Sequence, residues 1–595
     1  MDNLAIARVL TEIGDLLEIK GENPFKIHAY RNAAETIVHE PARVADMTAA
    51  DRRALPGVGK DLAAKISELV DTGAIRYHQE LLEQFPPTVL DLLHLQGVGP
   101  KTVARLYGDL GIRTLEDLEQ AARAGQIRGM KGMGAKKEAL ILKALEEQRR
   151  FTGRRLTAEA HDTAAALVAA LREHAPDAEI SPVGSLRRGC ETCGDLDILA
   201  AVPGLSLGTS AADATGAATP SLIDAFTQYR LVERVLAHGE TKSSVRLWGG
   251  FQADLRLVPK DSLGAALQYF TGSRAHNIAL RDRAIQRGFK LNEYGLYRID
   301  DDSRIAGEDE AGIYEALGLA PIPPELRENR GEIGAAAADS LPRLVQLSDV
   351  QGDLHAHTTA TDGRDSIEAM ARAAQGAGLR YLAITDHSQS LAMANGLDER
   401  RTLEHARAIR EVNARLDGFT LLAGIECDIR PDGSMDLADD CLAQLDIVIA
   451  SIHSGFSQDA AAMTDRLLRA IACPWVDILG HPTGRLILKR DPHKADMTRV
   501  IEAAAAAGVA MEINAQIDRL DLDDAHARRA RDAGARIVIG TDAHSTTALG
   551  GLRWGVTVAR RAWLTPADVL NTRPVEEMLG ALRSAAARRG GRTPT

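Results

Sequence analysis

Apolar residues recur every three or four positions through residues 4–149, and no stretch there alternates residue by residue. That period predicts an all-helical N-terminal third. A further helical stretch, Thr157–His174, precedes two short strand-like runs. One begins at Leu196 and is nearly all apolar; the other begins at Phe251 and alternates. Together they predict an α+β domain. Beyond residue 347, apolar strands at 381–385, 420–423, 447–451, 476–479, 510–513 and 537–539 alternate with helical stretches. This is the pattern of a parallel α/β barrel.

The punctuation divides the chain further. With 595 residues at roughly 150 per domain, about four domains are expected. The boundaries read as small helical domain 1–80, second helical domain 81–152, α+β domain 153–262, a following domain 263–320, linker 321–347 and barrel 348–595. Residues 204–221, rich in Ala, Ser, Thr and Gly, read as a flexible insertion because they cannot bury enough surface to pack.

The helical third contains a repeat. Leu55-Pro56-Gly57-Val58-Gly59-Lys60, Leu95-Gln96-Gly97-Val98-Gly99-Pro100-Lys101 and, more loosely, Lys131-Gly132-Met133-Gly134-Ala135-Lys136-Lys137 each precede an amphipathic helix. Glycines allow a tight turn and a close backbone approach to a ligand. The next helix N-terminus then points free N–H groups, with a lysine nearby, at an anion. A DNA phosphate suits this arrangement, in contacts that position without reading sequence. Gly57, Gly59, Lys60, Gly97, Gly99 and Lys101 are the DNA-binding candidates.

The net charge of −12 argues against a uniformly basic nucleic-acid coat. Residues 1–150 nonetheless hold 21 Lys and Arg against 22 Asp and Glu, so the helical third is almost neutral. Five cysteines give no disulfide framework and fit a reducing cytoplasm. No apolar run approaches the roughly 18 residues of a membrane span, and Met1-Asp2-Asn3-Leu4 does not open a secretory signal.

Two segments carry catalytic chemistry. In Gly184-Ser185-Leu186-Arg187-Arg188-Gly189-Cys190-Glu191-Thr192-Cys193-Gly194-Asp195-Leu196-Asp197, the two acids share one strand face. Asp254 on a second strand completes a trio able to hold two divalent metals roughly 4 Å apart. Gly184, Ser185 and Arg188 would then donate to phosphate. Cys190 and Cys193 lack a second pair for a zinc site and read as packing residues.

In the barrel, a histidine or acid follows nearly every strand: His355, His357, Asp362, His387, Glu426, His453, His481, Asp542 and His544. Strand C-terminal ends form the active face of such barrels. Nine imidazole and carboxylate ligands without thiolate suit two or three Zn²⁺ or Mn²⁺ ions, and such ions lower the pKa of bound water toward 7. Arg485, just after Gly480-His481-Pro482-Thr483-Gly484, is a candidate phosphate contact.

The repeats look like helix-hairpin-helix motifs, and the acid trio resembles the nucleotidyltransferase superfamily. Tyr269-Phe270-Thr271-Gly272-Ser273, followed by Asn277 and Arg281, is similar to the thumb of family X DNA polymerases. The resemblance implies that Tyr269, Phe270 and Gly272 lie against the incoming sugar, Asn277 at the base edge and Arg281 at the template. Gly184, Ser185, Arg188 and Gly194 would belong to the nucleotide site. In the small domain, Lys65 matches a lysine that forms a Schiff base with abasic sugars, and Lys26 and Tyr30 match phosphate-pocket positions. Two further pocket lysines are here Asp61 and Tyr77. The nine barrel residues fill every metal position of the polymerase-and-histidinol-phosphatase (PHP) domain.

In this order the parts resemble bacterial family X DNA polymerases along nearly the whole chain. The resemblance implies gap-filling repair synthesis with Mg²⁺ or Mn²⁺, a 3′–5′ exonuclease or end-processing activity in the PHP domain, and possible abasic-site cleavage. Gapped or primer-template DNA and deoxynucleoside triphosphates would be its partners, and a cytoplasmic monomer its state. The rival readings are a phosphoesterase with a merely DNA-gripping polymerase half, and a non-catalytic repair scaffold.

Overall fold

A computed structural model describes residues 3–38, 40, 43–85, 88–95, 98–130, 133–151, 153–205, 218–588 and 590. Gly97, the Lys131-Gly132 pair and residues 206–217 of the insertion lie outside the described residues. The insertion's last residues, 218–221, open the helix Ala218–Thr227 instead of belonging to a loop. The chain forms two units, Met1–Thr152 and Gly153–Thr595.

The first unit is helical, as its periodicity requires, and has two cores. Ile6, Leu10, Ile13, Leu17, Ile37, Ile66 and Leu69 fill one, and Val89, Leu92, Val103, Leu106, Leu118 and Ile141 the other. Each described glycine hairpin is anchored by a buried valine, Val58 or Val98. Gly57 adopts φ +74°, a conformation costly for side chains, and Gly59 caps the helix Lys60–Thr72. Gly99 likewise caps Pro100–Leu110, whose proline needs no N–H in the first turn. A Cβ built on Gly59 or Gly99 meets nothing within 4 Å, so both helix starts are open to a ligand.

The second unit begins with a five-stranded sheet in the order Glu179–Pro182, Asp195–Val202, Gln252–Pro259, Lys242–Leu247, Val232–His238. Its second and third strands are parallel, and helices Thr157–His174 and Ala218–Thr227 pack against it. Helices Leu263–Thr271 and Arg274–Gln286, with a three-stranded sheet, build the next layer. Residues 321–347 do not form a linker. Ile322, Leu326, Ala336 and Leu344 are buried in one core with Leu280, Leu296, Ile313 and Tyr314. Arg327 is buried there, donating to the Ile322 carbonyl and pairing with Glu310 at 2.6 Å. The prolines and alanines of this segment are packed residues, and composition alone concealed the burial of its few large apolar side chains.

The barrel has seven parallel strands in chain order, from Gly352–Asp353 to Ile537–Gly540. A parallel bridge between Ala356 and Ala543, with His357 N–H donating to Ala543 O at 2.8 Å, joins the last strand to the first. Among the described residues, no helix is long and apolar enough to cross a membrane.

Candidate active sites

Asp195 and Asp197 stand two apart on one strand, and the parallel register sets Asp197 opposite Asp254. One oxygen from each of the three carboxylates lies within 4.8 Å of the others. Burial, and then the charges of Asp195 and Asp254, push Asp197 up to about 6. Three converging carboxylates with so little compensating positive charge fit divalent cations. Gly184 is required beside them. Its φ is +65°, and a Cβ there would come 2.3 Å from Asp197 Oδ2. Gly184→Ala should displace that carboxylate and slow any reaction at the trio by on the order of 10²-fold. Primer-extension rates check this.

A cavity of about 510 Å³ opens onto Asp195 and Asp197 and is lined by Gly184, Ser185, Arg188, Tyr269, Phe270, Gly272, Asn277 and Arg281. The structure therefore brings together the predicted nucleotide-site residues, with Gly194 outside the lining. Thr271 and Arg274 also line it and were not anticipated. Asn277 Nδ2 donates to Tyr269 O at 2.7 Å, pinning the turn to the next helix. Cys193 is buried, which pushes its thiol up to about 11, and Cys190 is a second free thiol, in keeping with packing roles.

The phosphate-loop candidate leans on the barrel. Helix Leu552–Arg561 packs against Gly189, where a Cβ would come 2.3 Å from Thr557 Cγ2. Arg561 Nη1 donates to the Arg188 carbonyl at 2.7 Å and to Glu328 at 3.1 Å. Glu328 in turn accepts from Arg188 Nε at 3.0 Å. Arg485 belongs to the same interface, which corrects its reading as a phosphate contact. Its Nη2 donates to Glu191 Oε2 at 2.6 Å and Leu520 O at 2.5 Å, and its Nε to Arg519 O at 2.9 Å. These donors are committed to protein acceptors.

At the C-terminal ends of the barrel strands, all nine predicted ligands converge. Glu426 is the hub. Its carboxylate lies 3.4 Å from His355, 3.6 Å from His357, 2.8 Å from His387, 3.3 Å from His453 and 2.8 Å from His481. Asp542 reaches His357 at 3.1 Å, and Asp362 reaches both His387 and His544 at 3.4 Å. Burial alone would raise Glu426; the surrounding histidines, His453 and His355 foremost, hold it well below the carboxylate range. Burial and the neighbouring His387 and His544 push His357 down to about 4. Against burial, Glu426 and Asp362 push His387 up to about 10.

The donor set fits metal ions. His357 Nδ1 and His481 Nδ1 are buried without a hydrogen-bond partner among the described residues, and His355 Nε2, His357 Nε2, Glu426 Oε2 and Asp542 Oδ1 face one another at ion-pair distance without hydrogen-bond geometry. Such orphans are rare unless something else satisfies them. His481 and Asp542 also hold positive φ, +27° and +52°, strain that clusters at functional sites. The residues behind the candidate ligands carry no motif in the sequence. Glu512 accepts from His355 Nδ1 at 2.7 Å, Asp428 lies 3.1 Å from His453 Nδ1, and Asn514 donates to Asp542 at 3.0 Å. Such partners orient the ligands. The signal for Glu512 was a lone acid inside the apolar run Ala510-Met511-Glu512-Ile513.

Family models match consecutive parts of this chain: "Helix-hairpin-helix domain" at 1–75, "SAM-like Helix-hairpin-helix tandem" at 89–147, "DNA polymerase beta palm" at 156–254, "DNA polymerase beta thumb" at 266–328 and "PHP domain" at 353–516. Over 580 residues the chain is 37% identical to "DNA polymerase/3'-5' exonuclease PolX" of Bacillus subtilis (strain 168), spanning 97% of this chain and 99% of that protein. The chain is a bacterial family X DNA polymerase with a C-terminal PHP domain.

This polymerase is also 32% identical over 248 residues to a "Probable phosphatase" of Shewanella sp. (strain MR-4), covering 40% of this chain and 92% of that protein. A "Probable phosphatase" of Shewanella sediminis (strain HAW-EB3) matches 251 residues at 31%, again 40% of this chain and 95% of that protein. The family X polymerase is thus an enzyme, a DNA nucleotidyltransferase with an exonuclease/phosphoesterase domain, which removes the scaffold reading. In its small helical domain, Lys26 Nζ donates to Tyr77 Oη at 2.8 Å, and Tyr30 is buried against the Tyr77 ring. Lys65 pairs with Asp61 at 2.6 Å.

Proposed function

We propose that this family X polymerase fills short gaps during DNA repair and that its PHP barrel trims 3′ ends, acting as a cytoplasmic monomer. The observation that carries the reading is the presence of two separate metal-competent clusters, one facing a nucleotide-sized cavity and one at the mouth of a barrel. Asp195, Asp197 and Asp254 would hold Mg²⁺ or Mn²⁺, and the nine barrel residues two or three Mn²⁺ or Zn²⁺ ions. Bound there, such ions supply Lewis acidity toward phosphate oxygens and acidify water or a 3′-hydroxyl.

The chain's own residues do the positioning. Ser185 orients the triphosphate together with Arg188 Nη2, since Arg188 Nε and Nη1 are taken by Glu328 and Thr271 O; Tyr269, Phe270 and Gly272 bound the sugar, and Asn277 and Arg281 face the base and template. Gly57, Gly59, Lys60, Gly97, Gly99 and Lys101 grip the DNA backbone through helix N-termini, and Lys26 supplies a phosphate contact in the small domain. Glu512 and Asp428 hold His355 and His453 in orientation. Abasic-site cleavage through Lys65, whose Nζ lies 2.6 Å from the exposed Asp61 carboxylate, would be a further activity of the small domain.

A gap preference is tested by comparing nucleotide insertion on a one-nucleotide gap and on an open primer-template. Faster insertion at the gap is expected; equal rates would defeat the repair assignment. The barrel's grip on the phosphate loop gives a second prediction. Arg561→Met, which loses the bonds to Arg188 O and Glu328, should raise the KM for the incoming nucleotide about tenfold. Steady-state insertion kinetics measure it.

A further inference from the structure

The arginine that does reach the histidine cluster is Arg519. Its Nε lies 3.9 Å from Asp542 Oδ2 and donates to Gln516 Oε1 at 3.3 Å. Among the described residues, neither Nη nitrogen of Arg519 meets an acceptor. The residue is nevertheless held firmly, since its carbonyl and that of Leu520 accept from Arg485, and Leu520 adopts φ +40°.

A second guanidinium stands nearby. Arg490 Cζ stands over the Phe456 ring, 4.0 Å from its centroid, and its Nε donates to Gly484 O at 3.0 Å. Its Nη nitrogens also lack acceptors among the described residues. Phe456 and Gly484 each follow a ligand by three residues, His453 and His481, so Arg490 spans the two ligand loops. The Arg490 and Arg519 loops are clamped together by Ile487 N–H to Asp518 O at 2.6 Å and by the Lys489–Asp518 pair at 3.0 Å. Burial and the Arg519 charge lower Arg490, against the opposing charges of Asp518 and Asp521.

Two guanidinium groups on fixed loops thus keep their Nη donors unspent beside the histidine cluster, a donor pair that suits an anion. No carboxylate among the described residues lies within hydrogen-bond distance of either guanidinium. We propose that Arg519 and Arg490 form a phosphate fork at the rim of the histidine cluster, which takes the non-bridging oxygens of a DNA phosphodiester. Guanidinium planes suit this task because their paired N–H groups match two phosphate oxygens at once. The fork would hold the strand whose 3′ end enters the cluster, so the proposal rests on the reading of that cluster as the exonuclease centre.

The test uses the full chain with Mn²⁺ and a labelled single strand, comparing wild type, Arg519→Met, Arg519→Lys, Arg490→Met and His355→Ala. Arg519→Met is expected to raise the KM for DNA by about tenfold or more, with bound metal by elemental analysis unchanged. The slope of log kcat/KM against log salt should fall by about one, as for a lost phosphate contact. Arg519→Lys should recover part of the KM, and Arg490→Met should move both readouts in the same direction. An unchanged KM and salt slope in both Met variants would overturn the fork. So would loss of bound metal in Arg519→Met, which would make Arg519 a structural partner of Asp542. Wild-type degradation that survives in His355→Ala would instead overturn the reading of the cluster, and is read from a different lane.

Discussion

Asp254→Ala should abolish primer extension, by more than about 10³-fold or roughly 4 kcal/mol in the barrier, while 3′-end degradation continues at the wild-type rate. Asp254 stands opposite Asp197 in the parallel register, and the trio's oxygens lie within one ion's reach of each other. Removing one acid takes away a ligand without opening a cavity, because the side chain is only half-buried on the sheet surface. Fold and barrel should therefore survive, and the loss should read as catalytic. Gapped-primer assays with and without deoxynucleotides measure both activities in the same preparation. Equal loss of both would contradict the division of labour between the two clusters.

His355→Ala should do the reverse, cutting 3′-end degradation by more than about 10²-fold, beyond the usual cost of losing an outer hydrogen bond to a ligand. His355 is fully buried between Glu426, Asp542 and Glu512. Its removal leaves Glu512 buried beside a void, so some stability is lost as well. Bound metal and a thermal melt separate the two effects. Reduced metal with an intact polymerase half is the expected result. A variant that degrades primers at the wild-type rate would remove the histidine cluster from the exonuclease reaction.

The nine candidate barrel ligands were legible because most lie at or just after a strand end, where the C-terminal face of a parallel barrel gathers side chains. The first strand, Gly352–Asp353, was invisible, since two residues carry no period. The strand holding Glu426 runs on to Asp428, well past its apolar start, because the barrel interior accepts acids that the ligand histidines neutralise. Arg485 shows the opposite failure. Its closeness to Gly480-His481 in sequence suggested a phosphate contact, yet its partner Glu191 stands 294 residues away and no local pattern announces it. Residues 321–347 failed for the same reason, as Arg327, Glu332 and Leu326 find their partners across the thumb core. Long-range polar pairing is the part of this fold that the sequence left unread.

The proposed function gives one chain two independent active centres, one adding nucleotides and one removing them. A labelled primer across a one-nucleotide gap, followed with Mn²⁺ in paired reactions with and without deoxynucleotides, tests it most directly. Lengthening is expected when deoxynucleotides are present, and stepwise shortening from the 3′ end when they are absent. A primer that stays at its starting length in both reactions would contradict it.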